Sequence, residues 1–152
     1  MAQTLKGTQR IEIGKYAVTF LAESALTTVD PRDVSGCMKI VSHQPLNSVL
    51  SMIVMFWIDR DNGIDVNWMV EILLEEYKLA FDGNGQFCIP NGLIEEPIEF
   101  DRFIGASTDP SYRGLMINGS DVLFVIFMIR GNSVNPDVLF DELKSSLVIA
   151  RA

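Results

Sequence analysis

The final third of the chain most constrains what it can fold into. Residues 112–117 are predicted to form a strand, Asn118-Gly119 a two-residue turn, and Val122–Ile129 an unbroken apolar strand. An Asn-Gly pair between two apolar segments indicates a β-hairpin, because both residues tolerate the positive φ angles of a tight turn. Asn135 and Pro136 then begin an amphipathic helix that we expect to end at residues 148–149. A hairpin followed by a helix indicates an α+β fold.

The preceding segments predict more strands and one further helix. Strands are expected at residues 10–13, 16–21, 38–42, 49–58, 86–89 and 98–106, and connections at residues 26–33 and 43–47. Asp65 is expected to cap a helix over residues 65–81, whose apolar positions share one face: Val66, Met69, Val70, Leu73, Tyr77 and Ala80. Residues 82–85 would end that helix and turn the chain. We therefore predict an antiparallel β-sheet flanked by two main helices, in an α/β/α sandwich.

Length and charge limit the classes of function. The chain has 152 residues, so we predict a single domain over residues 1–152. Its formal net charge of −8 argues against a nucleic-acid partner, which needs a basic face, and against docking on an anionic membrane. An acidic balance fits either plain solubility or a basic protein partner.

The start of the chain and its cysteines indicate a compartment. Residues 1–6 lack the apolar segment of a secretion signal, and the longest apolar segments, residues 49–58 and 122–129, are too short to cross a bilayer as helices. Cys37 and Cys88 have no CxxC partner, which favours two buried thiols in a reducing cytosol, with a disulfide between them as the alternative. We expect a cytoplasmic protein without membrane insertion.

The two apolar strands, residues 49–58 and 122–129, barely alternate between apolar and polar residues. A strand with one wet face should alternate, so both faces of these strands must be covered. Either the chain itself covers them, or an apolar face binds another protein or a second copy in a homodimer. If a face is open, we expect partner contacts from one parity of each strand. Because a register change of one residue exchanges the faces, the candidates are either the following residues or their neighbours of the other parity: Met52, Val54, Phe56, Ile58, Leu123, Val125, Phe127 and Ile129.

Catalytic residues are not indicated. His43 is the single histidine, so a Ser/His/Asp or Cys/His device would have to use it. Cys37 and Cys88 are the candidate nucleophiles, and the candidate orienting carboxylates are Asp30, Asp33 and Asp59. No spacing selects among them, so we predict that the protein is not an enzyme and has no catalytic residues.

A metal site is not indicated either. Asp59, Asp61 and Asp65 resemble the start of a calcium-binding loop, but Ile64 stands where the EF-hand needs glycine and Val70 where it needs glutamate. Two scattered cysteines and one histidine offer few zinc ligands. We predict no metal and no cofactor.

A family resemblance rests on the order of these segments. It is carried by the entry strand Tyr16-Ala17-Val18-Thr19-Phe20, by residues 51–58 and the helix 65–81, by residues 98–106 and 112–116, and by the terminal Ser145-Ser146-Leu147-Val148-Ile149. This order resembles the fold shared by the photosystem protein PsbP, the Ran-binding import factor Mog1 and bacterial DcrB-like proteins. The resemblance is a pattern and involves no functional motif; residues 22–48 lack it.

The resemblance implies a function in binding and assembly. One cytosolic bacterial branch consists of chaperones that shield the transmembrane segments of type VI secretion effectors in a hydrophobic groove, and Mog1-like proteins bind a small GTPase. We therefore expect a non-catalytic cytosolic adaptor or chaperone whose partner is a hydrophobic segment of a secreted effector or a small GTPase. The alternative is a small enzyme or ligand carrier with a pocket between sheet and helix.

Overall fold

The computed structural model describes residues 6–23, 32–34, 37–43, 50–63, 65–91, 94–105, 110–119, 121–131 and 135–151. These residues form ten strands: β1 (Lys6–Ile13), β2 (Tyr16–Glu23), β3 (Arg32–Val34), β4 (Cys37–His43), β5 (Leu50–Ile58), β6 (Ala80–Asn91), β7 (Ile94–Ile104), β8 (Ser111–Asn118), β9 (Val122–Ile129) and β10 (Val148–Arg151). They also form two α-helices, α1 (Val66–Glu76) and α2 (Pro136–Ser146), and a 3-10 turn at Arg60–Asn62.

The strands form two antiparallel sheets. The larger has seven strands in the order β3-β4-β5-β9-β8-β7-β6, and the smaller has three in the order β1-β2-β10. Each α-helix has only eleven residues. The predicted helix-flanked α/β/α sandwich is therefore wrong: the protein is β-rich. The reason is that segments predicted as helix ends and turns are strands, and that β1, β2 and β10 build a sheet of their own.

The predicted terminal hairpin is confirmed, with a different turn. β8 and β9 pair antiparallel, and Asn118 lies opposite Val122. The connection therefore spans residues 119–121, one residue more than the predicted Asn118-Gly119 turn. The amide of Gly119 donates to the carbonyl oxygen of Asp121 at 3.1 Å. The extra residue sets the register and hence the face on which each β9 side chain lies.

The predicted helix over residues 65–81 is too long. Asp65 caps it as expected, accepting from the amide of Trp68 at 3.2 Å, but α1 ends at Glu76. Two hydrogen bonds close its end: the amide of Leu79 donates to the Leu74 carbonyl and that of Lys78 to the Glu75 carbonyl. This is a Schellman motif, with Lys78 at the left-handed position at φ 51°. The chain leaves the helix there and enters β6.

Residues 82–85 are likewise not the predicted turn. They lie within β6, where the register with β7 shifts between Phe81 and Gly83, as in a β-bulge. The strands predicted at residues 86–89 and 98–106 are thus parts of two long paired strands, β6 and β7.

The last helix also ends early. α2 begins as predicted, with the Asn135 side chain accepting from the amide of Asp137 at 3.0 Å and Pro136 in the first turn. It ends at Ser146, and β10 pairs antiparallel with β2. The expectation that the helix runs to residues 148–149 is wrong, because the backbone hydrogen bonds of that segment go to a strand.

The other predictions for the first half are mostly confirmed. β1 and β2 form a hairpin around Gly14 and Lys15, with Ile13 opposite Tyr16, and β4 and β5 match residues 38–42 and 49–58. Arg32–Val34 is a strand, where a connection was expected. Residues 24–31 and 44–49, which contain most of the two predicted connections, lie outside the described residues.

The seven-stranded sheet separates two apolar cores. On one face it packs against α2 and the three-stranded sheet, through Phe140, Leu143, Ile149 and Val18 among others. On the other face it packs against α1, whose Leu73 is buried among Val54, Phe124 and Ile126. The central strands β5 and β9 are therefore covered on both faces by the chain itself.

Among the described residues, no helix combines the length and the apolar character that crossing a membrane would require.

Candidate functional site

The eight candidate strand residues do not share a face. Met52, Val54, Phe56 and Ile58 lie on the side of α1, whereas Leu123, Val125, Phe127 and Ile129 lie on the side of α2 and the small sheet. Met52 is half-buried and the other seven are buried. Their contacts are with the protein's own core, so these side chains offer a partner little surface in this conformation.

Exposed apolar surface lies instead on the outside of α1. Trp68 is 58% exposed and Ile72 is 38% exposed. The two residues are four positions apart, so they are neighbours on one side of the helix. The other large apolar side chains that are exposed in the described residues are Phe81, Val138 and Val148. Trp68 and Ile72 differ from these three because they lie on the same helix, one turn apart.

The composition of α1 explains this exposure. Seven of its eleven residues are apolar, which is more than the inner side of so short a helix can bury. Leu73 is buried against the sheet, and Val66, Met69 and Val70 are half-buried beside it. Trp68 and Ile72 are therefore left facing outward.

Acidic side chains surround this pair. Asp65, Glu71, Glu75 and Glu76 are all exposed. Between Asp65 and Tyr77 the chain has no lysine, arginine or histidine. We define the α1 outer face as Trp68 and Ile72 together with these four carboxylates. It is an apolar ridge with an acidic border.

Aromatic packing holds the C-terminal end of α1 in place. The ring of Tyr77 packs edge-on against those of Phe56 and Tyr112, at centroid distances of 6.5 and 5.7 Å. The hydroxyl of Tyr112 donates to the sulfur of Met128 at 3.4 Å. Burial, with the nearby charge of Glu76, raises the pKa of Tyr77 to about 12. The α1 outer face thus rests on a packed base that fixes its orientation.

A second feature is a groove between β6, β7 and α2. It has a volume of about 230 Å³ and is lined by Asp82, Arg102, Ile104, Asp137, Phe140 and Asp141. Arg102 forms an ion pair with Asp82 at 2.6 Å, and Asp137 accepts from the buried Arg113 at 2.9 Å. Asp141 lies 3.6 Å from the ammonium of Lys144, so the charged groups of this groove are already paired within the protein.

The described catalytic candidates divide between the two ends of β4: Cys37 is paired with Val34 and Ile58, the chain neighbours of Asp33 and Asp59, whereas His43 is paired with Met52 at the other end. Cys37, a half-buried thiol, begins β4, His43 ends the same strand, and Asp33 lies in β3. Asp59 caps the 3-10 turn by accepting from the amide of Asp61 at 3.0 Å. Asp30 and the side chains of Asp33, His43 and Cys88 lie outside the described residues. Across the described ranges, no group of three or more His, Cys, Asp or Glu residues could hold a metal ion.

The sequence-based candidates did not include the α1 outer face. The predicted buried stripe of the helix contained neither Trp68 nor Ile72. Two large apolar residues one turn apart and outside that stripe were the signal for it. The signal is weak beside that of the apolar strands, which are longer.

No protein-family model matches the chain, and no curated protein is significantly similar to it in sequence.

Proposed function

We propose that this protein is a non-catalytic adaptor that binds another protein through the α1 outer face. The observation that carries the proposal is the exposure of Trp68 beside Ile72 on a helix whose inner side already packs on the sheet. Tryptophan is enriched among the residues that dominate binding energy at protein interfaces. An exposed apolar group with a polar border is typical of a binding surface.

The charge of the chain supports a protein as the partner. With a net charge of −8 and an acidic border on α1, nucleic acids and anionic membranes would be repelled. The narrower expectations, a hydrophobic segment of a type VI secretion effector or a small GTPase, stay predictions from the sequence pattern, as does a cytoplasmic location. The α1 outer face would serve a chaperone or an adaptor equally.

Site-specific photo-crosslinking tests the proposal. A photoreactive phenylalanine analogue replaces Trp68 in cells that naturally make the protein, and the same analogue replaces Val138 in a matched control. Val138 is 55% exposed on α2, so the two positions are about equally accessible. We expect a discrete adduct with a partner protein from position 68 and none from position 138.

The same experiment bears on the alternative hypothesis, that the protein is a small enzyme that uses His43. His43→Ala, made in the background of the position-68 crosslinker, should leave the adduct unchanged, because no step of binding uses that side chain. If position 68 gives no adduct, or if positions 68 and 138 give the same adducts, the α1 outer face is not a docking surface.

A further inference from the structure

We infer that the partner presents a basic amphipathic segment to the α1 outer face, with large apolar side chains flanked by lysine or arginine. This inference rests on the proposed function and specifies the chemistry of its partner. Glu71, Glu75 and Glu76 are exposed on the helix that carries Trp68 and Ile72, and the exposed Asp65 caps its start. The helix has no basic side chain.

The spacing on α1 indicates the form of the segment. Trp68 and Ile72 lie one helical turn apart, so a partner needs two or three apolar side chains at a similar spacing to cover them. Glu71 and Glu75 continue along the outer side of the helix, also one turn apart. A segment that covers the apolar pair therefore places its flanking side chains beside these carboxylates, where basic groups are favoured and acidic groups are repelled.

A second copy of this chain is the occupant that the charges disfavour. In a two-fold symmetric dimer through α1, the same patch meets itself, so carboxylates of one copy would approach those of the other. The closest basic residue along the chain is Lys78, in the turn after the helix. Its single positive charge cannot neutralise four carboxylates. The acidic border thus favours a different protein over self-association.

A peptide pair of opposite charge is the probe. One fluorescein-labelled helical peptide of fourteen residues has leucine at helical spacing and lysine elsewhere, and its twin has glutamate in place of lysine. Binding to the whole protein is followed by fluorescence anisotropy. We expect the lysine peptide to bind and the glutamate peptide not to bind. Added salt should weaken binding by at least about tenfold, since exposed charges are screened within about 8 Å at physiological ionic strength.

Matched variants locate the binding. Trp68→Ala should weaken binding of the lysine peptide by at least about tenfold, whereas Val138→Ala on α2 should not change it. Glu71→Gln with Glu75→Gln should weaken binding and flatten its salt dependence. Asp141→Asn with Glu142→Gln removes the same net charge from exposed positions of α2, and it should leave binding nearly unchanged.

Ile72→Lys is a second variant that places a repelling charge on the ridge. It should abolish binding of the lysine peptide while the circular dichroism spectrum stays native, because Ile72 is partly exposed. Circular dichroism of every variant confirms that the fold is intact.

Three results would overturn the inference. Equal weakening of binding by the α2 double variant and the α1 double variant would indicate non-specific attraction to an acidic protein. Equal affinity for the lysine and glutamate peptides would show that binding does not require basic side chains in the partner. A Trp68-dependent dimer in sedimentation would identify a second copy as the occupant.

The crosslinking experiment separates the inference from the proposed function. If position 68 forms an adduct whose contacting peptide lacks lysine and arginine, the docking surface stands and the basic chemistry is wrong. If position 68 forms no adduct, the docking surface itself is wrong and the inference fails with it. An adduct on a peptide that combines apolar and basic residues supports both.

Discussion

Gly14 lies directly against the indole ring of Trp57, so close that the site has no room for a Cβ atom on Gly14. The contact joins the β1–β2 hairpin of the small sheet to β5 of the large sheet. On the same turn, the ammonium of Lys15 lies 3.4 Å from the buried carboxylate of Asp121. A two-residue turn thus attaches one sheet to the other.

This contact predicts a large cost for Gly14→Ala. The φ of Gly14 is +57°, so alanine would suffer both left-handed backbone strain and a clash with Trp57. We expect the free energy of unfolding to fall by about 2–5 kcal/mol. The matched control is Gly63→Ala, at φ +75° with nothing within 4 Å, which should cost only the strain, about 1–2 kcal/mol. Equal losses in urea unfolding would show that the contact with Trp57 contributes nothing.

At Lys78, by contrast, we expect a substitution by glycine to stabilise the protein. It occupies the left-handed position of the Schellman motif after α1, at φ 51°, where glycine has no steric penalty. Lys78→Gly should raise the free energy of unfolding by about 0.5–1 kcal/mol, after the greater entropy of an unfolded glycine is subtracted. Glu75→Gly, inside α1, should lower it by about as much. Destabilisation by Lys78→Gly in thermal or urea unfolding would contradict the motif.

Leu143 should be essential for docking α2. Its side chain is buried in the core between α2, the small sheet and the large sheet. Leu143→Ala should cost about 2–5 kcal/mol, because it loses transfer free energy and leaves a cavity. The neighbouring Glu142 is exposed, so Glu142→Ala should change stability by less than about 0.5 kcal/mol. Urea unfolding of the pair measures both, and a loss below about 0.5 kcal/mol for Leu143→Ala would mean that α2 is not docked.

Tyr77 predicts a loss of stability at high pH. Burial raises its pKa to about 12 from the model-compound value of 10.0. Between these pH values the unfolded chain releases the phenolic proton while the folded protein retains it, so stability that is fully present below pH 10 is lost as pH rises to about 12. Tyr77→Phe lacks this titration. In urea unfolding at about pH 8 and about pH 11, the wild-type protein should lose more stability than the variant. An identical pH dependence of the two proteins would show that Tyr77 ionises equally in both states.

A charge placed on a buried apolar residue of the sheet should unfold the protein, whereas a charge on an exposed apolar residue of α1 should not. Val125 in β9 is fully buried, so Val125→Lys should unfold the protein, since an unpaired buried charge is very costly. The same charge at Ile72, in the variant described above, should leave the fold intact. Circular dichroism distinguishes the two. A native spectrum for Val125→Lys would mean that the β9 face opens to solvent, as a groove formed by the strands requires.

Several elements were predictable because their signals are local. The hairpin β8–β9, the turn at Gly14-Lys15 and the caps Asp65 and Asn135 depend on residues within a few positions of one another. The ends of both helices were not predictable in this way. The apolar spacing of α1 continues to Ala80, but the backbone of Ala80 pairs with Ile104 in β7. The competing partner for these hydrogen bonds is far away in sequence.

The sequence by itself indicated that both faces of β5 and β9 must be covered, by the chain or by a partner, because strands that barely alternate between apolar and polar residues have no face suited to water. It also determined the acidic character of α1, since the four carboxylates lie between Asp65 and Glu76 with no basic residue among them. Only the tertiary structure decided which surface remains open. The hairpin register and the small sheet built from β1, β2 and β10 bury the apolar strand residues, while the short α1 has more apolar side chains than its inner side can hold. Coverage depends on which distant segments pack together, and a one-residue change of register exchanges the two faces of a strand.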